Sequence, residues 1–142
     1  MVRYRKLDLE ELNELEPEFV NFLAANGVEA QEWTALKDKG TKRVDELIGL
    51  FSDMVFDKIM TDTQYLDFEE EDKRYYFRCL ETRLELIVLE GLKQDESSIY
   101  SLEKEYSKER NLEIFDMLET GCVISDGSKF KSAALAIANS QD

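Results

Sequence analysis

The sequence predicts an α+β fold, in which helices at both ends of the chain flank a three-stranded antiparallel meander. Before Thr63, apolar residues recur three or four positions apart, which is the period of an amphipathic helix. Between residues 64 and 91 the period changes to two, which is typical of half-buried strands. Further helical spacing follows a polar connection, so helices are available to cover both faces of the sheet.

Three helices are predicted in the N-terminal part, at residues 8–25, 30–39 and 42–60. Asp8 can cap the first of them. Pro17, the only proline, should interrupt that helix and lie in the first turn of a second piece, because proline has no backbone N–H. The third helix has the clearest apolar stripe, formed by Val44, Leu47, Ile48, Phe51, Val55 and Ile59.

The meander is predicted from strands at residues 64–69, 74–80 and 83–91, joined by short connections. Counting back from each connection places a nearly all-apolar set on one face: Leu66, Phe68, Tyr75, Phe77, Leu86 and Val88. A slip of one residue would bury both Arg74 and Arg78, so the pattern enforces this register.

The stretch KRYYFR, residues 73–78, supplies the middle strand. We expect Tyr75 and Phe77 in the core, and Arg74, Tyr76 and Arg78 on the opposite face. In this register Arg74 meets Glu69 and Arg78 meets Glu85 across the strands, and each such pair contributes roughly 0.2 to 1 kcal/mol.

The third strand is apolar without alternation from Leu86 to Leu89, which suits a strand covered on both faces. We expect the C-terminal helices to cover Ile87 and Leu89. A second copy of the chain on this face or edge is the alternative. The segment Cys122–Ser125 could also pair at this edge as a fourth strand.

Three helices are predicted in the C-terminal part, at residues 98–106, 108–120 and 128–139. Ile99, Leu102 and Tyr106 have helical spacing in the first of them. For residues 122–130 a small hairpin that reaches Phe130 competes with the strand and helix, because Asp126-Gly127 is a strong turn signal.

Composition predicts one domain over residues 1–142 and restricts the function. Thirty-two Asp and Glu against eighteen Lys and Arg give a formal net charge of -14, which disfavours nucleic acid and anionic membranes as partners. The chain has no histidine, so Ser-His-Asp, Cys-His and HExxH sites are excluded, and no phosphate-binding glycine motif occurs. We expect a cytoplasmic protein with two reduced thiols and no cofactor.

Two candidate sites lie in the meander. Its outer face offers a partner-binding set of Arg74, Tyr76, Arg78, Ile87 and Leu89. The densest carboxylate run offers oxygen ligands for a hard cation, namely Asp67, Glu69, Glu70, Glu71 and Asp72. A solvated acidic loop is the competing interpretation of that run.

Three segments carry a resemblance to a known family: EFVNFLAANGVEAQEW, then ELIGLFSDMVFDKIM leading into QYLDF, and LEIFDMLETGCVIS. Together they resemble a family of small uncharacterised bacterial proteins of unknown function. The resemblance implies a bacterial cytoplasmic single-domain protein and brings no catalytic motif.

These observations favour a non-enzymatic protein-interaction or regulatory module whose partner is a protein, with a homodimer as one form of that contact. They do not favour an enzyme. One alternative is a nucleic-acid binder that uses the outer sheet face, Arg83 and the basic tail of Arg3, Arg5 and Lys6. The other is a metal-dependent carboxylate site.

Overall fold

A computed structural model describes residues 2–40, 42–92 and 97–140. In these residues the fold is α+β, with six helices and a five-stranded antiparallel sheet. The elements are α1 (Leu9–Glu14), α2 (Glu16–Ala25), α3 (Ala30–Lys39), α4 (Lys42–Asp62), β1 (Tyr65–Glu69), β2 (Arg74–Cys79), β3 (Arg83–Glu90), β4 (Ser98–Glu105), α5 (Arg110–Glu119), β5 (Val123–Ser125) and α6 (Ser128–Ser140).

The chain divides into two compact units, residues 1–58 and 59–142. Helix α4 contributes residues to both. That the whole chain is one domain stays a prediction.

The first unit is helical. Helix α1 begins with a capping box, in which the Asp8 side chain accepts from the backbone N–H of Glu11 at 2.8 Å and Glu11 accepts from that of Asp8 at 3.0 Å. Pro17 lies in the first turn of α2, where its missing N–H costs nothing. The predicted interruption of the first helix is therefore confirmed.

Aromatic rings form much of the core of this first unit. The Phe19 ring meets the Trp33 ring edge-on, with centroids 5.0 Å apart, and lies 4.9 Å from the Phe51 ring. Leu47 and Phe51 from the predicted stripe of α4 are fully buried. Burial of each such side chain stabilises the fold by about 1.5–3 kcal/mol.

The second unit contains the sheet, whose strand order is β4-β3-β2-β1-β5. Strands β1, β2 and β3 form the predicted meander in the predicted register. Tyr75 lies between Phe68 and Val88, and Arg78 lies opposite Glu85. The three-stranded prediction nevertheless understates the sheet, because two further strands extend it.

The helix predicted at residues 98–106 is wrong, because residues 98–105 form strand β4. Strand β4 pairs with β3 over eight positions, from Arg83 opposite Glu105 to Glu90 opposite Ser98. Residues 99, 102 and 106 match a helical period, but the edge of β3 needs partners for its backbone groups, and this pairing supplies them.

The expected position of the segment Cys122–Ser125 is also corrected. Strand β5 pairs with β1, at the far edge from β3, with Leu66 opposite Ile124. The edge of β3 is already occupied by β4. Helix α6 follows from Ser128, so the competing hairpin that reaches Phe130 is wrong.

Helix α6 covers the sheet face that carries Tyr76 and Ile87. These two residues form a buried cluster with Phe130 and Ala133 of α6. The predicted helical cover is therefore confirmed. It buries Tyr76 more deeply than Tyr75 or Phe77, which are only half-buried on the opposite face, so the expectation that these two would be the core residues of KRYYFR is corrected.

Candidate interaction surface

The five predicted partner-binding residues lie on the face that α6 covers. Tyr76 is 9% exposed and Ile87 is 3% exposed, while Leu89 is partly buried against the same cluster. Arg74 and Arg78 lie on this face with side chains 30% and 47% exposed. A partner at this surface would therefore meet the arginines, with the two most deeply buried residues beneath them.

The basic residues proposed for nucleic-acid binding all lie near carboxylates. On the sheet, Arg74, Arg78 and Arg83 lie 3.7, 3.4 and 3.7 Å from Glu69, Glu85 and Glu103. In the tail, Arg3, Arg5 and Lys6 lie 3.4, 2.8 and 3.4 Å from Asp57, Glu11 and Asp45. A phosphate would have to compete with each of these carboxylates, in a chain of net charge -14.

Among the carboxylates proposed as metal ligands, Glu69 and Asp67 accept hydrogen bonds from other side chains. Glu69 accepts from Lys129 Nζ at 3.0 Å, and this hydrogen bond lowers the pKa of the Glu69 carboxyl. Asp67 accepts from the Ser125 hydroxyl at 3.1 Å. Within residues 2–40, 42–92 and 97–140, no group of three His, Cys, Asp or Glu side chains is arranged to hold a metal ion.

Beside α6, a cleft of about 360 Å³ opens over β3 and β4. Its apolar wall comes from Ile87, Phe130 and Ile137, and its polar rim from Arg78 and Glu85. It continues onto β4 through Ser101, Leu102 and Glu103.

Strand β4 is the long open edge of the sheet. In the described part of the chain it pairs only with β3, and seven of its eight residues are exposed. Tyr100 and Leu102, which lie on one face, are 37% and 51% exposed. The Tyr100 hydroxyl donates to Glu90 at 2.6 Å, so the ring is fixed against β3. The edge formed by β5 is only three residues long.

A comparison with protein families matches residues 1–138 to the Family of unknown function (DUF6495). The chain belongs to this family. The predicted membership of a family of unknown function is confirmed, while bacterial origin stays a prediction. No curated protein and no solved structure matches the chain. In the part of this family member that the structure describes, no helix is long and apolar enough to cross a membrane.

Arg110 is a residue that the pattern of the sequence does not reveal. Its guanidinium lies at the start of α5, and its five N–H groups donate five hydrogen bonds: to the carbonyls of Met60 (2.8 Å), Thr63 (2.6 Å), Cys79 (3.2 Å) and Leu80 (3.1 Å), and to the Asn111 side chain (2.8 Å). With every donor occupied, this arginine ties chain segments together and offers no site for an anion.

Glu113 is a second residue missed from sequence. It is 5% exposed, and one oxygen accepts from the backbone N–H of Ser107 at 2.7 Å and from the Ser107 hydroxyl. Its other oxygen is buried without a hydrogen-bond partner among the described residues. Periodicity assigns a glutamate in a helix to solvent, so only the packing of α5 reveals this one.

The two cysteines are poor nucleophiles. Burial raises the pKa of the Cys79 thiol to about 12, and burial also raises the pKa of Cys122. At neutral pH both are therefore protonated, whereas catalytic cysteines react as thiolates.

Proposed function

We propose that this protein is a non-enzymatic protein-interaction module whose binding surface is the outer edge of β4. One observation carries the proposal: an eight-residue edge strand, almost wholly exposed, pairs on one side only within the described residues. Such an edge presents a row of backbone N–H and C=O groups, and an extended segment of another chain can add to it as a further strand.

Two side chains give this edge apolar contact area. Tyr100 and Leu102 project on the same face, and both are more than a third exposed. The hydrogen bond from Tyr100 to Glu90 restricts the ring before any partner binds. Less conformational entropy is then lost on binding, which favours affinity.

The charges of β4 favour a selective partner. Glu103 lies near Arg83 on the face that α6 covers, whereas Lys104 lies on the opposite face with Tyr100 and Leu102. A bare apolar edge would pair with any exposed strand, and charged side chains on an edge suppress such pairing. A partner strand must therefore match both the apolar positions and the charges.

The chemistry of the chain supports interaction over catalysis. There is no histidine, and both thiols are protonated at neutral pH. The nucleic-acid and metal alternatives gain no support from the ion pairs of the basic residues or from the separate partners of Asp67 and Glu69.

The test is affinity purification of the tagged full-length protein from its own host, with bound proteins and nucleic acids both identified. A Leu102→Lys variant places a charge on the β4 edge. The matched control is Leu135→Lys, because Leu135 is also an exposed leucine, at 62%, but lies on α6. We expect a protein partner, which includes an untagged copy of the same chain, to be retained by the wild type and by the control and lost by Leu102→Lys.

Three results would overturn the proposal. A protein partner that Leu102→Lys retains would place the binding surface elsewhere. Nuclease-sensitive nucleic acid as the specific ligand would favour the alternative class. If no protein were retrieved, not even an untagged copy of the chain, the proposed role in protein interaction would be wrong.

A further inference from the structure

We infer that the partner of β4 is β4 of a second copy, paired antiparallel across a two-fold axis that passes through Leu102. This inference rests on the proposed function of the β4 edge and adds the identity of the partner. Two five-stranded sheets would then join into one continuous sheet.

Symmetry restricts which residues can meet. A two-fold axis perpendicular to the sheet keeps each sheet face beside the same face of the second copy. Residues that lie directly opposite one another must then have position numbers with an even sum. Only a few registers are therefore possible in which β4 pairs with β4 of the second copy over most of its length.

The register centred on Leu102 is complementary at each central pair. Leu102 meets its own copy, and Tyr100 meets Lys104 of the second copy twice, once on each side of the axis. Both Tyr100 and Lys104 lie on the same sheet face as Leu102. An ammonium group over a tyrosine ring is attractive. On the opposite face Ser101 meets Glu103, which pairs a hydroxyl donor with a carboxylate acceptor.

Neighbouring registers are less favourable. An axis through Glu103 or Lys104 places that charged residue opposite its own copy, and like charges directly opposite each other are destabilising. An axis through Ser101 avoids this, but it sets Ile99 opposite Glu103 two positions from the axis and removes the pairing of Tyr100 with Lys104. The register centred on Leu102 sets Ile99 opposite Glu105 only at its outer end. The pattern of β4 therefore favours the register centred on Leu102 over these three.

Sedimentation velocity over a wide range of protein concentration tests the association. We expect a monomer–dimer equilibrium for the wild type. Leu102→Lys replaces the central apolar pair by two facing charges and should raise the dissociation constant at least about tenfold. Leu135→Lys carries the same change of charge on α6 and should leave the dissociation constant unchanged. Matching melting curves would show that both variants fold.

Cysteine cross-linking tests the register, in a Cys122→Ser background where the remaining native thiol, Cys79, is buried. Leu102→Cys should form a reducible dimer under mild oxidation. Lys104→Cys should not, because a register centred on Leu102 separates the two copies of residue 104 by four positions, about 13 Å along the strands. Preferential cross-linking of Ser101→Cys or of Lys104→Cys would overturn this register.

The inference and the proposed function can fail separately. A wild type that is monomeric at every concentration overturns the inference, as does a dimer that Leu102→Lys leaves intact. If the monomer still captures a different protein that Leu102→Lys loses, the β4 edge keeps its proposed function with another partner.

Discussion

Single residues hold together segments that are far apart in the sequence, and Arg110 is the clearest case. Four backbone carbonyls, from the end of α4 to the connection after β2, accept hydrogen bonds from its guanidinium. The periodicity of the sequence does not predict this role, because the carbonyls come together only in the folded sheet. The period of the sequence predicts these strands, but it does not indicate that the Arg110 side chain links them.

Arg110→Met should lower the free energy of unfolding by about 2–4 kcal/mol. Methionine fills much of the volume but donates no hydrogen bond, so each of the four carbonyls loses a hydrogen bond from a charged donor. The carbonyls of Met60 and Leu80 keep another donor, in the backbone N–H of Thr63 and the Tyr106 hydroxyl. Arg83→Met is the control, since Arg83 lies 3.7 Å from Glu103 in an ion pair on the surface and its replacement should cost at most about 1 kcal/mol. Urea unfolding followed by circular dichroism measures both. If both variants lost the same free energy of unfolding, the structural role assigned to Arg110 would be wrong.

Glu11 should make stability depend on acid pH. The hydrogen bond from Arg5 is the largest of the effects that lower the pKa of the Glu11 carboxyl from 4.5 to about 2 in the folded chain. The lowered pKa means that the stabilisation is complete above about pH 4.5 and is lost as the pH falls toward 2. We therefore expect the advantage of the wild type over Glu11→Gln in urea to be constant above pH 5 and to shrink below it. An advantage that stays constant down to pH 3 would contradict this assignment.

At the scale of elements, the meander was predictable because every second residue of its strands is apolar and lies on one face, although β3 is apolar on both faces from Leu86 to Leu89. Strand β4 was not, for a physical reason: as an edge strand it buries little, so its side chains need not alternate between apolar and polar. Ile99 and Leu102 consequently matched a helical period equally well. Only the demand of β3 for a second hydrogen-bonding neighbour decides between the two structures.

The candidate site shows the same limit. Sequence placed Arg74, Tyr76 and Arg78 correctly on one face of the sheet. It did not reveal that α6 buries Tyr76 or that the largest open edge is β4. Exposure depends on which element packs over a face, and strand periodicity alone does not determine it.

The attachment of α6 to the sheet should depend on Phe130. Its ring lies 5.7 Å from the ring of Tyr65 and is 8% exposed. Phe130→Ala should cost about 3–5 kcal/mol of unfolding free energy, because it removes a buried aromatic ring and leaves a cavity. Leu135→Ala on the same helix should cost less than about 1 kcal/mol, since Leu135 is 62% exposed. Chemical denaturation of both variants checks the difference, and similar losses would mean that α6 is not anchored by Phe130.

At the scale of the whole molecule, the prediction of a single domain can be tested directly. Residues 1–58 contain the only tryptophan, Trp33, and residues 59–142 contain the buried thiol of Cys79. Chains of this length usually unfold in one cooperative step. We expect Trp33 fluorescence and Cys79 labelling, measured in a Cys122→Ser background, to give the same urea midpoint. Two separated midpoints would show two domains.

The unequal edges of the sheet limit how large an assembly can become. One edge is eight residues long and the other only three. When two β4 edges pair across a two-fold axis, neither remains open to a further chain. Both outer edges of the joined sheet are then the short strand β5, which offers few backbone groups for pairing. In the proposed dimer, growth would therefore stop at two copies, so the joined sheet would be a closed unit that does not extend into a filament.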